Sequence, residues 1–180
     1  MKATGIVRRI DDLGRVVIPK EIRRTMRIRE GDPLEIYTDR EGGVIFRKYS
    51  PVSELGEFAA SYAETLFKTS GYPVCITDKD SIIATAGVAK RDLYEKPVSL
   101  EMEKVMEEKS AFVCTESKKI PVTDHYEKYT AGVISPIISE GDVLGNVVVM
   151  RGSESEKMTD VEVKLANAAS MFLAKQMEIN

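Results

Sequence analysis

The residues whose type and spacing could do chemistry are cations, and they crowd one end of the chain. Lys2, Arg8, Arg9, Arg15, Lys20, Arg23, Arg24, Arg27 and Arg29 fall within the first 29 residues, against only Asp11, Asp12 and Glu21, a net charge of +6. Guanidinium and ammonium groups gathered this way neutralise phosphates, and such a cluster is the electrostatic footprint of a nucleic-acid binder. The whole chain carries −3, which conceals the split. Residues 1–50 hold 12 Lys or Arg against 8 acids, net +4, and residues 51–180 hold 14 against 21, net −7. A basic end on an acidic body gives the two parts different partners.

The stretch "DDLGRVVIPKEIRRTMRI", residues 11–28, must position much of that charge. Asp11-Asp12-Leu13-Gly14 reads as a turn, with Gly14 suited to a positive φ. Thr4 to Ile10 is strand-like, and Val16-Val17-Ile18 reads as a short strand buried on both faces. Pro19 ends it and opens a helix over 20–27. At about 100° per residue, Ile22 and Met26 share an inward face. Lys20, Arg23, Arg24 and Arg27 occupy the opposite side. Leu34–Asp39 and Val44–Lys48 form a hairpin around Arg40-Glu41-Gly42-Gly43.

A segment of about 50 residues is short of core and commonly needs a disulfide, a metal or a second copy. Cys75 and Cys114 lie outside it, and no Cys/His cluster suits zinc. A dimer sharing strands would bury Val16, Val17, Ile18, Leu34, Ile36 and Val44 between subunits. It would also set two basic helices side by side.

Beyond Ser50-Pro51, a helix cap and first-turn proline, long helical periodicities appear. The reading is a helix over 53–69 stopped at Ser70-Gly71-Tyr72-Pro73, then hairpin strands 74–77 and 82–86. A helix over 99–109, a strand over 111–114 and hairpin strands 130–138 and 143–150 follow, with Gly141 to Gly145 as the hairpin turn. Thr159 and Glu162 have capping-box spacing at the start of the last helix, where Met158 and Val163 could staple it. The order α-β-β-α-β-β-β-α makes this part an α+β domain with flanking helices.

Other chemistry finds little support. Cys75 and Cys114 sit in apolar runs and read as buried thiols. His125, the only histidine, has no partner set for a metal or a triad. Glu101, Glu103, Glu107 and Glu108 read as a solvated helix face. No apolar run spans a membrane, no amphipathic anchor accompanies the basic face, and the N-terminus lacks a signal-peptide core. The chain is therefore expected in the cytosol, off the membrane, with no catalytic residue, metal or cofactor.

The stretch "TGIVRRIDDLGRVVIPKEIRRTMRIREGDPLEIY" resembles the AbrB-type swapped-hairpin DNA-binding domain of bacterial transition-state regulators. The chain as a whole resembles the sporulation regulators of that group, which act in the forespore. The resemblance implies an interleaved homodimer on double-stranded DNA, with Arg8, Arg15, Arg23 and Arg24 as the contacts. Lys2, Arg9, Lys20 and Arg27 join them on helix and strand geometry alone. It also implies a GAF-like C-terminal domain, a fold that often binds small molecules, and a homotetramer built through helices near the linker. The expected organisation is 1–50 for DNA binding, 51–55 as linker and helix start, and 56–180 for regulation and oligomerisation. The expected function is activation and repression of sporulation genes. The alternatives are an antitoxin of swapped-hairpin type and a ligand-binding or redox GAF protein.

Overall fold

A computed structural model describes residues 4–114, 119–126, 128–151 and 157–179. The chain divides into two compact units, Met1–Tyr49 and Ser50–Asn180.

The first unit is small and open. Its regular elements are α1 (Lys20–Thr25), β1 (Leu34–Thr38) and β2 (Val44–Lys48). The two strands pair antiparallel from Leu34↔Lys48 to Thr38↔Val44. Asp39 closes their turn, its Oδ1 accepting the N–H groups of Glu41 at 3.0 Å and Gly43 at 2.7 Å. The expected strands over 4–10 and 16–18 do not form within one chain, where the backbone is irregular. A strand needs a ladder partner, and among the described residues of one copy none is supplied. The expected burial fails with it: Val16 is 47% exposed and Val17 70%.

The second unit is a five-stranded antiparallel sheet between two helical layers. It begins with α2 (Pro51–Glu54) and α3 (Gly56–Ser70), which break at Leu55 what the apolar stripe reads as one helix. The Ser50 hydroxyl caps α2 by accepting the Ser53 N–H at 3.3 Å, and Gly71 closes α3 in the left-handed conformation at φ 75°. There follow β3 (Val74–Asp78), β4 (Ile82–Ala86), α4 (Lys90–Leu93), α5 (Leu100–Glu107), β5 (Phe112–Val113), β6 (Ala131–Ser139), β7 (Asp142–Met150) and α6 (Asp160–Ile179). The one-turn helix α4 is too short to carry a periodic signal. The strand order is β4-β3-β7-β6-β5.

The strands alternate between two cores. Val74, Ile76, Val133, Val147 and Val149 face α3 and α6, whose alanines (Ala59, Ala63, Ala166, Ala169, Ala174) admit close approach. Cys75, Ile82, Ile134, Val148 and Met150 face the other way, under Leu93, Met102, Val105 and Met106. That is why Val147-Val148-Val149-Met150 is continuously apolar: β7 is central and covered on both sides. At the start of α6, the Glu162 carboxylate accepts from both the backbone N–H (2.8 Å) and hydroxyl (2.6 Å) of Thr159, and the Val161 N–H bonds the Thr159 hydroxyl at 3.2 Å. Met158 and Val163 pack on the same core.

The β6–β7 turn is the pair Glu140 and Gly141, at φ 51° and 87°, the double positive φ of a tight hairpin. Gly145 is not part of that turn. It lies inside β7, paired with Asp78 and Ile137. A Cβ there would sit 1.9 Å from the Thr77 carbonyl oxygen, so Gly145→Ala must pry β3 from β7. The expected cost is about 3 kcal/mol, a Tm drop of roughly 9 °C at this chain length, measurable by thermal unfolding followed by circular dichroism.

Candidate nucleic-acid interface

The basic set is built on a turn and a short helix. The Asp11 side chain organises the turn: its Oδ1 accepts the N–H groups of Leu13 at 3.0 Å and Arg15 at 2.7 Å, and its Oδ2 meets the Arg15 Nε at 2.9 Å. The Arg15 backbone N–H first, then its guanidinium, hold the Asp11 carboxyl below its ordinary value. Arg15 therefore lies beside a resident carboxylate, a spacing of four that makes the ion pair local.

Pro19 is the buried anchor of α1, and its carbonyl accepts the Arg23 N–H at 3.0 Å. Lys20, Arg23 and Arg24 stand exposed on the helix while Ile22 is half-buried. The helix ends sooner than the wheel assumes, and its end has a defined geometry. The Ile28 N–H bonds the Arg23 carbonyl at 2.7 Å, and the Arg27 N–H bonds that of Arg24 at 3.3 Å. These are the two bonds of a Schellman cap. The position that cap usually gives to glycine is held by Arg27, at φ 52°. Arg27 is therefore off the helical face, and Met26, expected inward, is 57% exposed. Arg23 and Arg24, in the last turn, are favourably placed on the helix dipole.

Two positioning residues escaped the sequence reading. The Lys48 ammonium donates to the Arg27 carbonyl at 2.9 Å and pairs with Asp32 at 3.3 Å. The same Asp32 oxygen accepts the Arg29 N–H at 2.8 Å. The end of β2 thus clamps the end of α1. Asp32 carries no local signal of this role, and the 21-residue separation from Arg27 hid Lys48.

Arg8 and Arg9 are also exposed, so Arg8, Arg9, Arg15, Lys20, Arg23, Arg24 and Arg27 all face solvent in this unit, while Lys2 lies outside the described residues. Around them twelve large apolar side chains of the same unit are more than a third exposed, Val17, Ile36, Val44 and Phe46 among them. Pro19 alone is buried among its described residues.

Among its described residues, the second unit holds no comparable constellation. Among the described residues, no group of three His, Cys, Asp or Glu could hold a metal ion. The Cys75 and Cys114 thiols are both buried, and burial pushes the Cys75 thiol up to about 12. Cys75 is on β3 and Cys114 follows β5, its N–H bonded to the Gly132 carbonyl. Strands β7 and β6 intervene. Three strand spacings are about 14 Å, roughly twice the reach of a disulfide. His125 is exposed. Among the described residues no helix is long and apolar enough to cross a membrane.

Comparison with known proteins agrees with this division. Residues 54–178 match the family described as stage V sporulation protein T C-terminal, transcription factor, and residues 7–54 match the MazE antidote-toxin recognition family of bacterial antitoxins. Stage V sporulation protein T of Bacillus subtilis is 50% identical over 99% of both chains. The transition state regulatory protein AbrB of the same organism is 63% identical over 51 residues, 28% of this chain and 52% of that protein. In fold, the second unit is similar to the GAF domain of a Coxiella burnetii phosphoenolpyruvate-protein phosphotransferase, with TM-score 0.55, 16% identity, and coverage of 69% of this chain and 82% of that one. The architecture is α+β, an AbrB-like unit followed by a GAF-like one, and the chain belongs to the stage V sporulation protein T family of transcription factors.

Proposed function

We propose that the chain regulates sporulation genes, as activator and repressor, by binding double-stranded DNA as a swapped-hairpin homodimer in the forespore cytoplasm. The contacts are Arg8, Arg15, Arg23 and Arg24, joined by Lys2, Arg9, Lys20 and Arg27. Residues 1–50 form the DNA-binding domain, 51–55 the junction, and 56–180 a sensor and oligomerisation domain that carries no catalysis. One observation carries the reading: seven solvent-facing cations share a unit with twelve exposed large apolar side chains. A second copy covering the apolar set leaves the cations outside and doubles them. The open face of α3 and α6, where Phe172 stacks on Phe58 at 5.7 Å and on Tyr62 at 5.5 Å, supports joining two dimers into a tetramer.

The antitoxin reading draws on the match over 7–54. A toxin-binding tail would be disordered and acidic, whereas the residues that follow fold around two apolar cores. A thiol enzyme of GAF type needs cysteines that can meet, and these are three strands apart.

The test is DNA affinity against salt. With eight phosphates contacted per dimer, log K against log salt should fall with a slope of about −7; a flat response would sink the reading. Asp11→Asn keeps the Oδ1 acceptor of the turn and removes the charge held against Arg15. It should tighten binding several-fold at low salt, because two resident anions per dimer no longer compete with phosphate.

A further inference from the structure

The three residues after Met26, the C-cap of α1, form a loop whose backbone is fixed at nearly every polar group. The Arg27 N–H bonds the Arg24 carbonyl at 3.3 Å, and the Ile28 N–H bonds that of Arg23 at 2.7 Å. The Arg27 carbonyl accepts the Lys48 ammonium at 2.9 Å. The Arg29 N–H donates to the Asp32 carboxylate at 2.8 Å, and the Arg29 carbonyl accepts the Asp32 N–H at 3.3 Å. Ile28 is half-buried, while Arg27 and Arg29 are exposed. A surface loop is thus held in one conformation, and it presents two arginines to solvent.

Arg27 holds its place against its own backbone preference. At φ 52° it lies in the left-handed region that side chains with a Cβ rarely adopt, at the position where glycine closes a helix with least strain. Helix α3 ends in that way, on Gly71. Strain of this kind persists where the surroundings over-determine it, and it gathers where a side chain has a task. The second unit shows the same arrangement in use. Lys109, one residue past the C-cap of α5, also has φ 52°, and its ammonium donates to the Gly141 carbonyl at 2.6 Å. The task open to Arg27 follows from charge. The Asp32 carboxylate is matched by the Lys48 ammonium at 3.3 Å, so the exposed charges of residues 27–32 are Arg27 and Arg29 against Glu30. The two arginines are two residues apart, at most about 7 Å between Cα atoms. Long cationic side chains at that spacing suit neighbouring phosphates of one strand.

We infer that Arg27-Ile28-Arg29 is a second phosphate-binding platform for duplex DNA, separate from the helical face of α1 and held by Lys48 and Asp32. It rests on the DNA-binding reading of the first unit and deepens it. Arg29 joins the contacts, and Arg27 gains a support that helical periodicity does not supply. Lys48 and Asp32 are positioning residues, since they touch the backbone of the loop. Phosphate contacts fix register without reading sequence, so the platform acts on any duplex.

The experiment is affinity of the full chain for a random-sequence duplex against salt, with thermal unfolding of each protein. The proteins are the wild type, Arg27→Gly, Arg27→Lys, Arg29→Ala and Arg23→Ala. Glycine relieves the backbone, so Arg27→Gly should melt at or above the wild type. It should nevertheless bind about 10- to 100-fold more weakly, with a salt slope shallower by about 2. Arg29→Ala should lose affinity and slope to the same extent. Arg27→Lys keeps the charge and should keep the slope. Wild-type affinity and slope in both Arg27→Gly and Arg29→Ala would overturn the platform. So would an Arg27→Gly protein that binds weakly and melts lower than the wild type, because Arg27 would then serve only the helix end. Arg23→Ala separates the two readings. If it loses slope while the loop variants keep theirs, the platform alone falls. A flat salt response of the wild type removes the DNA-binding reading and the platform together.

Discussion

Val17→Asp is expected to unfold the N-terminal unit and abolish DNA binding, although Val17 is 70% exposed in a single chain. The two readings of this position diverge widely. For an isolated surface side chain the substitution would be worth no more than about 0.5 kcal/mol. In a shared core it buries an uncompensated carboxylate, about 3–5 kcal/mol, and a dimer carries it twice. A unit of this size has only about 3–5 kcal/mol to lose. Analytical ultracentrifugation should show the N-terminal association lost, and duplex affinity should fall by at least about 100-fold. The C-terminal unit, with its own two cores, should keep its unfolding transition. A Val17→Asp protein that still binds duplex DNA at wild-type affinity would remove the shared-core account altogether. The same reasoning extends to Val16, Ile36 and Val44, each more exposed in one chain than a core residue can be.

What the sequence made legible follows from the range of each interaction. Ser50-Pro51, Gly71 and the Thr159–Glu162 box are caps, decided within three or four residues, and each is found where local chemistry puts it. The two-sided burial of β7 was readable as an unbroken apolar run. The strands over 4–10 and 16–18 were misplaced for the opposite reason. Their apolar pattern calls for ladder partners, and among the described residues of one copy none is supplied. Gly145 read as turn because its reason for being glycine, the Thr77 carbonyl, lies 68 positions away in sequence. Lys48 was invisible on the same ground. A lysine near a strand end is ordinary until the Arg27 carbonyl is seen. In the basic set, the residue types were plain, and the Asp11–Arg15 pair was present as a spacing of four. The shortening of α1 was not, since nothing local to Met26-Arg27 favours a left-handed arginine.

That shortening sharpens what Arg23 and Arg24 should do. They lie on a helix held at both ends, by buried Pro19 at its start and by Lys48 on the Arg27 carbonyl at its finish. Alanine is the strongest helix former, so Arg23→Ala or Arg24→Ala removes a cation without melting its support. Each substitution deletes two contacts from a dimer. The salt slope should fall by about 2, from about −7 to about −5, and affinity by about 10- to 100-fold. Circular dichroism and sedimentation should be unchanged. The pair of variants also separates roles that geometry alone does not. An arginine on phosphate weakens a specific and a random duplex equally. An arginine on a guanine edge costs about 1–3 kcal/mol on the specific duplex alone. Arg23→Ala and Arg24→Ala proteins that keep both affinity and slope would make α1 a merely solvated helix. The footprint would then have to rest on Arg8, Arg9 and Arg15.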